Sequence, residues 1–237
     1  MHLLLDELTR AEARALAPDA LVVLPVGATE QHGPHLPVGT DRMIVEHVAR
    51  AAAAQVAGAI PVVVAPTLPF GSSHHHVPFG GTLSLGTETY YRALVDLAES
   101  LIASGFRRIF ILNGHGGNSE LIQLVARDLA LKHPATLAAA PYWTIAWDAL
   151  VAERAHVAVR ARLAHQVGPQ RDAPADTDPR GRSPYRAEQH GSWQRMEGYT
   201  DSPDQATAER GQRYLAAIIP AVARALREFY QATPPAA

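Results

Sequence analysis

The chain has 237 residues with a formal net charge of −2, of which 47% are hydrophobic, and it holds twelve histidines and no cysteine. That length and apolar fraction suffice for one α/β domain with a substantial core, and the near-neutral charge gives no electrostatic footprint for nucleic acid or an anionic membrane. Thiolate metal sites, iron–sulfur clusters and disulfides are excluded, which leaves nitrogen and oxygen ligands and a reducing cytoplasm as the expected setting.

Asp6 and Glu7 follow three leucines directly, so the N-terminus lacks the basic start and long apolar core of a signal peptide. No run approaches the roughly 20 apolar residues of a membrane span. The apolar run 21–26 predicts a buried strand, and a helix over 41–56 follows with Thr40 as its N-cap. A second strand is predicted over 60–66, then a helix over 88–104 capped by Thr87 and stopped at Gly105. A third strand over 108–112, a helix over 119–132 capped by Asn118, and a fourth strand over 136–141 complete the alternation. This order predicts a three-layer α/β/α fold with a mostly parallel central sheet. Lys132, the sole lysine, sits at the end of a predicted helix, which argues against Schiff-base chemistry.

From about residue 165 to 202 the composition shifts to Pro, Asp, Arg, Gly and Gln without periodicity. Such a long irregular segment predicts a partly ordered cover, with Tyr185, Trp193, Met196 and Tyr199 as its apolar anchors. Ser202-Pro203-Asp204-Gln205 predicts a helix start, running toward Tyr230 with a kink near Pro220, and residues 231–237 read as a frayed tail. The whole of 1–237 is expected to form a single domain.

Ligands of parallel sheets bind beyond the carboxyl ends of the strands, and three polar loops fall at that edge: 30–41, 71–82 and 113–118. Glu30 and His32, two positions apart on an extended segment, share one face and could hold a divalent cation. Asn113-Gly-His115-Gly-Gly-Asn118 lies between a strand and a helix, where its glycines permit a tight turn; taken alone, it reads equally as an anion-binding turn. Together, Glu30, His32, Asp41 and His115 can supply two cations if Asp41 bridges them. Zn2+, Mn2+ or Fe2+ fit those ligands. His74, His75 and His76 follow the second strand, and three adjacent histidines on a loop cannot all face one way. Tyr142, Trp143, Trp147, Trp193 and Tyr199 could wall a flat substrate or simply pack as core.

These loops resemble the creatininase family of metal-dependent amidohydrolases. The resemblance rests on Leu24-Pro-Val-Gly-Ala-Thr-Glu30-Gln-His32-Gly with Pro37-Val-Gly-Thr-Asp41, on Gly71-Ser-Ser with His76 and Gly81-Thr82-Leu83-Ser84, and on the Asn113 to Asn118 motif. It returns in Gly198-Tyr-Thr-Asp201-Ser-Pro203 and Ala206-Thr207-Ala208-Glu209-Arg-Gly211. The resemblance implies a layered α/β fold and two divalent metal ions per subunit, Zn2+ and/or Mn2+. It also implies hydrolysis of a C–N bond in a small cyclic amide or formamide through a metal-bridging water, by a homo-oligomer that is commonly a hexamer.

By position, Glu30 and His115 would bind one cation, His32 the other, and Asp41 both. Ser72, His76 and Trp193 would face the substrate, and the N–H groups of Gly116 and Gly117 would hold an oxyanion. His190 matches the family's acid/base histidine, with Glu188 or Glu197 in support; that Glu188 and His190 are only polar loop residues stays open. Two departures stand out. Gly117 replaces the acidic metal ligand of creatinine-hydrolysing members, which argues against creatinine as substrate, and Arg195 stands where the family has glutamate. An oxidised cyclic polyol of the keto-inositol type is the alternative substrate, and a catalytically silent metal-binding scaffold is the alternative of another class.

Overall fold

Every residue of the strand Leu21–Val26 (β1) is buried, because helices cover both of its faces. The structure, a computed structural model, describes residues 4–34, 36–153, 193 and 207–233. Within these, a 3₁₀ turn (Leu5–Glu7) and α1 (Arg10–Leu16) precede β1, followed by α2 (Thr40–Val56), β2 (Val62–Val64) and a 3₁₀ turn (His74–Phe79). Then come α3 (Thr87–Ala103), β3 (Arg108–Asn113), a 3₁₀ turn (Gly116–Asn118), α4 (Ser119–Lys132) and β4 (Thr136–Pro141). The short helices α5 (Tyr142–Ile145) and α6 (Trp147–Ala152) and the long α7 (Ala208–Ala232) end the order.

Among the described residues the sheet has four strands in the order β2-β1-β3-β4, and every pairing is parallel. Alternate side chains of β1 and β3 enter opposite layers. Leu21, Val23, Phe110 and Leu112 pack with Val45, Val48 and Ala52 of α2 and Val222 and Leu226 of α7. Val22, Leu24, Ile109 and Ile111 pack with Tyr90 and Leu94 of α3 and Ile122 and Val125 of α4. The result is the predicted three-layer α/β/α sandwich.

From β1 the chain passes through α2 to one side of the sheet, and from β3 it passes through α4 to the other. Because α2 and α4 lie on opposite faces, the loops leaving β1 and β3 diverge, and a crevice opens at the carboxyl ends of these two strands. At that edge a Cβ on Gly114 would lie 2.7 Å from the Val45 Cβ and 2.9 Å from the Asp41 carbonyl oxygen. Glycine there lets the first turn of α2 rest directly on the end of β3, which brings Asp41 over the crevice.

Several predicted boundaries shift. Thr40 is the first residue of α2 rather than its cap; its hydroxyl donates to the Pro37 carbonyl at 2.6 Å, and Gly39 takes the cap position. Gly86 likewise precedes α3, with Thr87 inside the helix. Asn118 stands at the cap of α4 but its side chain does not cap. Strand β2 is shorter than 60–66, although the Ala65 N–H still reaches the Val23 carbonyl. Helix α7 is capped by the Thr207 hydroxyl, which accepts from the Arg210 N–H; it runs through Pro220 and on to Ala232, into the stretch expected to fray. The start predicted at Ser202 lies outside the described residues. Among these, no helix is long and apolar enough to cross a membrane.

Candidate metal centre

Three loops and one helix end deliver the polar groups of the crevice. Glu30 and His32 sit on the loop after β1, the His74–Phe79 turn follows β2, His115 follows β3, and Asp41 occupies the first turn of α2. A helix N-terminus favours a carboxylate, so Asp41 is stabilised in its charged form before any partner is counted.

Asn118 and Asn113 stitch these loops together. The Asn118 amide nitrogen donates to the Gly27 carbonyl at 3.1 Å, while its oxygen accepts the Ser72 N–H at 3.0 Å. Asn113 accepts the His115 N–H at 3.0 Å and donates to the His115 carbonyl at 2.6 Å. Both asparagines are fully buried. The side chain expected to cap α4 is therefore spent on aligning the loops after β1, β2 and β3.

Asp41 reaches both histidines, its Oδ1 lying 3.1 Å from His32 Nε2 and its Oδ2 3.0 Å from His115 Nδ1. Glu30 Oε1 lies 3.2 Å from the same His115 nitrogen. Hydrogen bonds on the far side of each ring set its orientation. His32 Nδ1 lies 3.2 Å from the Glu30 carbonyl, to which only an N–H can donate, so Nε2 is left to face Asp41. His115 Nε2 meets the Ser72 carbonyl at 3.2 Å and the Ser73 hydroxyl at 3.1 Å, so Nδ1 is left to face the carboxylates.

His76 plays a different part. The Gly33 N–H donates to Gln31 Oε1 at 2.9 Å, which turns the Gln31 amide nitrogen toward His76 Nδ1 at 2.7 Å. His76 Nδ1 must then accept, and its Nε2–H points at Glu30 Oε1, 3.4 Å away. Burial, the main cause, holds the His76 pKa below its ordinary value and keeps the ring neutral.

The other two rings shift the opposite way. Burial would lower the His115 pKa, but the Glu30 charge and the Asp41 hydrogen bond outweigh it and push it up to about 10. His32 feels the same opposition of burial and Asp41, and is pushed up to about 9. Burial would raise Asp41, but hydrogen bonds from His115 and His32 hold it down at about 2.

These groups fit a divalent cation. Bonds of roughly 2.0–2.2 Å in a tetrahedral set place neighbouring ligand atoms about 3.4 Å apart, close to the carboxylate–imidazole separations here. Single ligand atoms of Glu30, His32 and Asp41 lie within 4.8 Å of one another, and so do those of Glu30, His75 and His115. Glu30 Oε2 is buried and has no hydrogen-bond partner among the described residues, an arrangement that is costly for a carboxylate oxygen unless a cation completes it.

The structure thus brings together Glu30, His32, Asp41, His115 and His76 from the residues singled out in the sequence. Ser72 lies beside them, and its backbone N–H and carbonyl meet Asn118 and His115. Trp193 packs on His75 and His76 with ring centroids 4.5 and 4.7 Å away. Gly116 and Gly117 form the 3₁₀ turn beside His115. Trp147 is buried, and Tyr142 and Trp143 pack partly buried against the layer that holds α2 and α7. His190, Glu188 and Glu197 lie outside the described residues.

Sequence reasoning missed His75, Ser73 and Gln31. The triple histidine was the signal for the first, but a 3₁₀ turn sets which ring faces inward. Gln31 and Ser73 lie within the Glu30–His32 and Gly71-Ser-Ser motifs, but residue type alone gave neither a role.

A family model described as creatinine amidohydrolase (creatininase) matches residues 6–226. Mycofactocin precursor peptide peptidase of Mycobacterium tuberculosis (strain ATCC 25618 / H37Rv) is 44% identical over 103 residues, 41% of this chain and 41% of the peptidase. 3-Dehydro-scyllo-inosose hydrolase of Thermotoga maritima is 36% identical over 97 residues, 40% of this chain and 30% of that enzyme. The matched stretch spans less than half the length of these curated relatives. A solved manganese creatininase superposes with a TM-score of 0.73 at 25% identity, covering 97% of this chain and 99% of that one. A Zn-Zn type creatininase variant gives 0.72 at 26% identity, with the same coverage of 97% and 99%.

Proposed function

This chain belongs to the creatininase family, and from that membership we propose that it is a metal-dependent hydrolase cleaving a C–N bond of a small cyclic amide or formamide. The observation that carries the reading is Asp41, a partly buried carboxylate whose two oxygens each lie about 3 Å from a different histidine. Asp41 would bridge two cations, Glu30 and His115 would complete one, and His32 the other. Zn2+ and Mn2+ suit this donor set and occur in the solved relatives.

A pair of divalent cations supplies, when bound, Lewis acidity toward a carbonyl oxygen and an acidified water as nucleophile. The protein's own groups do the rest. His76 Nε2 lies 3.4 Å from Glu30 Oε1 and helps fix that carboxylate, and the Ser72 carbonyl and Ser73 hydroxyl hold His115. The backbone N–H groups at Gly116 and Gly117 are assigned to the developing oxyanion, and Trp193, Ser72 and His76 to the wall of the substrate pocket. From the sequence alone, His190 is assigned to protonate the leaving nitrogen, with Glu188 or Glu197 orienting it. The family further suggests a homo-oligomer, which light scattering would test, and the lack of cysteine suits a reducing cytoplasm.

A second reading, hydrolysis of an oxidised cyclic polyol, is supported by the Thermotoga maritima relative. The decisive experiment strips the protein with a chelator, reloads it with Zn2+ or Mn2+, and measures turnover of lactams, formamides, short peptides and keto-inositols. Turnover of an amide supports the main reading and turnover of a keto-inositol alone supports the second. Tight binding of two cations with no turnover on the panel would leave a metal-binding scaffold.

A further inference from the structure

The three successive histidines after β2 face three different ways. His74 Nδ1 pairs with the Ser84 hydroxyl at 2.9 Å, on the outside of the turn. His76 is held by Gln31 and Glu30. His75 turns toward His115, the two rings 9° from parallel with centroids 5.9 Å apart.

Ligand atoms of Glu30, His75 and His115 form a group distinct from the Glu30, His32 and Asp41 group. Glu30 is common to both, and its buried Oε2 is the one site oxygen without a hydrogen-bond partner among the described residues. Two imidazoles and such a carboxylate make the nitrogen–oxygen donor set that borderline divalent cations prefer. Trp193 packs against His75 and limits where its ring can lie.

Gly117 explains how His75 comes so close. A Cβ at residue 117 would lie 2.3 Å from the Ser72 carbonyl oxygen, 2.6 Å from His115 Nε2 and 3.2 Å from His75 Cε1. Backbone cannot yield by that much, so any side chain at 117 would force the Ser72 to His75 segment away from His115. The bare glycine lets that segment close over His115 and carry the His75 ring in with it.

We propose that His75 is a fourth protein ligand, beside Glu30, His115 and the bridging Asp41, for the cation shared by Glu30 and His115, made possible by the absence of a side chain at Gly117. The proposal rests on the two-metal reading given above. It predicts that the loop after β2 supplies a metal ligand of its own, in addition to the one from the loop after β3.

The test uses the full chain, stripped and titrated with Co2+, whose visible spectrum reports the number and kind of ligands, alongside Zn2+ and Mn2+ stoichiometry by elemental analysis. Wild type, His75→Ala, His75→Gln, Asp41→Ala and the control His74→Ala are compared, with circular dichroism to verify folding. The expected result is two ions in wild type and in His74→Ala. Both His75 variants should keep the His32 ion, bind the other at least about tenfold more weakly, and show an altered Co2+ spectrum. Unchanged stoichiometry, affinity and spectrum in both His75 variants would overturn the proposal while leaving the two-metal reading intact. A wild type that binds no Co2+, Zn2+ or Mn2+ overturns both.

Discussion

His115 Nδ1 lies between Asp41 and Glu30, and its pKa, like that of His32, stands well above the 6.5 of an ordinary imidazole. In metal-stripped protein, the two charged rings stabilise the fold fully below pH 6.5, and that contribution is lost as pH rises through about 9 to about 10. Asp41 acts in the opposite sense: its contribution is present above 3.8 and lost as pH falls through about 2. The Tm of stripped protein should therefore be highest between these limits and decline toward pH 10, whereas Zn2+-loaded protein should not show that decline. A metal must displace the same protons, so Zn2+ binding near about pH 7.5 should release them. Calorimetry in buffers of different ionisation enthalpy reads that release, and a heat independent of buffer contradicts it. Asp41→Ala should lose both ions together, because one carboxylate serves two histidines; an Asp41→Ala protein with a full metal complement would rule out bridging.

At the scale of elements, α3 and α7 make separable predictions. Tyr90 of α3 is fully buried and its hydroxyl has no partner among the described residues, with burial raising its pKa. An unpaired buried hydroxyl opposes folding, so Tyr90→Phe should leave Tm unchanged or raise it, by up to about 1 kcal/mol of stability. A clear loss of stability would mean that the hydroxyl has a partner. Leu226 of α7 is fully buried against β1, β3 and α2. Leu226→Ala should cost about 2–5 kcal/mol in denaturant unfolding, since the neighbouring layers cannot collapse into the space. A loss below about 1 kcal/mol would mean that α7 is an accessory to the core rather than part of it.

Across the whole molecule, Arg108 ties the turn before β1 and the end of α7 to the sheet at the edge opposite the metal centre. This buried side chain donates to the Asp19 carbonyl at 3.0 Å and to the Thr233 carbonyl at 2.5 Å, and it lies over the Tyr230 ring. Arg108→Met keeps the apolar stem and removes both charged hydrogen bonds. It should lower stability by about 2–4 kcal/mol, leaving the Co2+ spectrum unchanged because the site sits at the other end of β3. A change in the spectrum would reveal that the two ends are coupled.

Strands and helices were legible in the sequence because apolar runs and periodic faces are local: β1 and β4 match their predicted bounds, and α4 runs over the predicted 119–132. Caps were less legible. Thr40, Thr87 and Asn118 are good capping residues by type, but Pro37 takes the Thr40 hydroxyl, and Gly27 and Ser72 take the Asn118 amide. Of the site, the loop motifs determined that Glu30, His32, Asp41 and His115 are the nitrogen and oxygen donors available, since residue type and spacing follow from the chain itself. Only the tertiary structure decided that Asp41 meets both histidines and that His75, rather than His74, turns inward. Those choices depend on how closely three loops approach across the end of a parallel sheet, and that is set by packing at Gly114 and Gly117 between residues far apart in sequence.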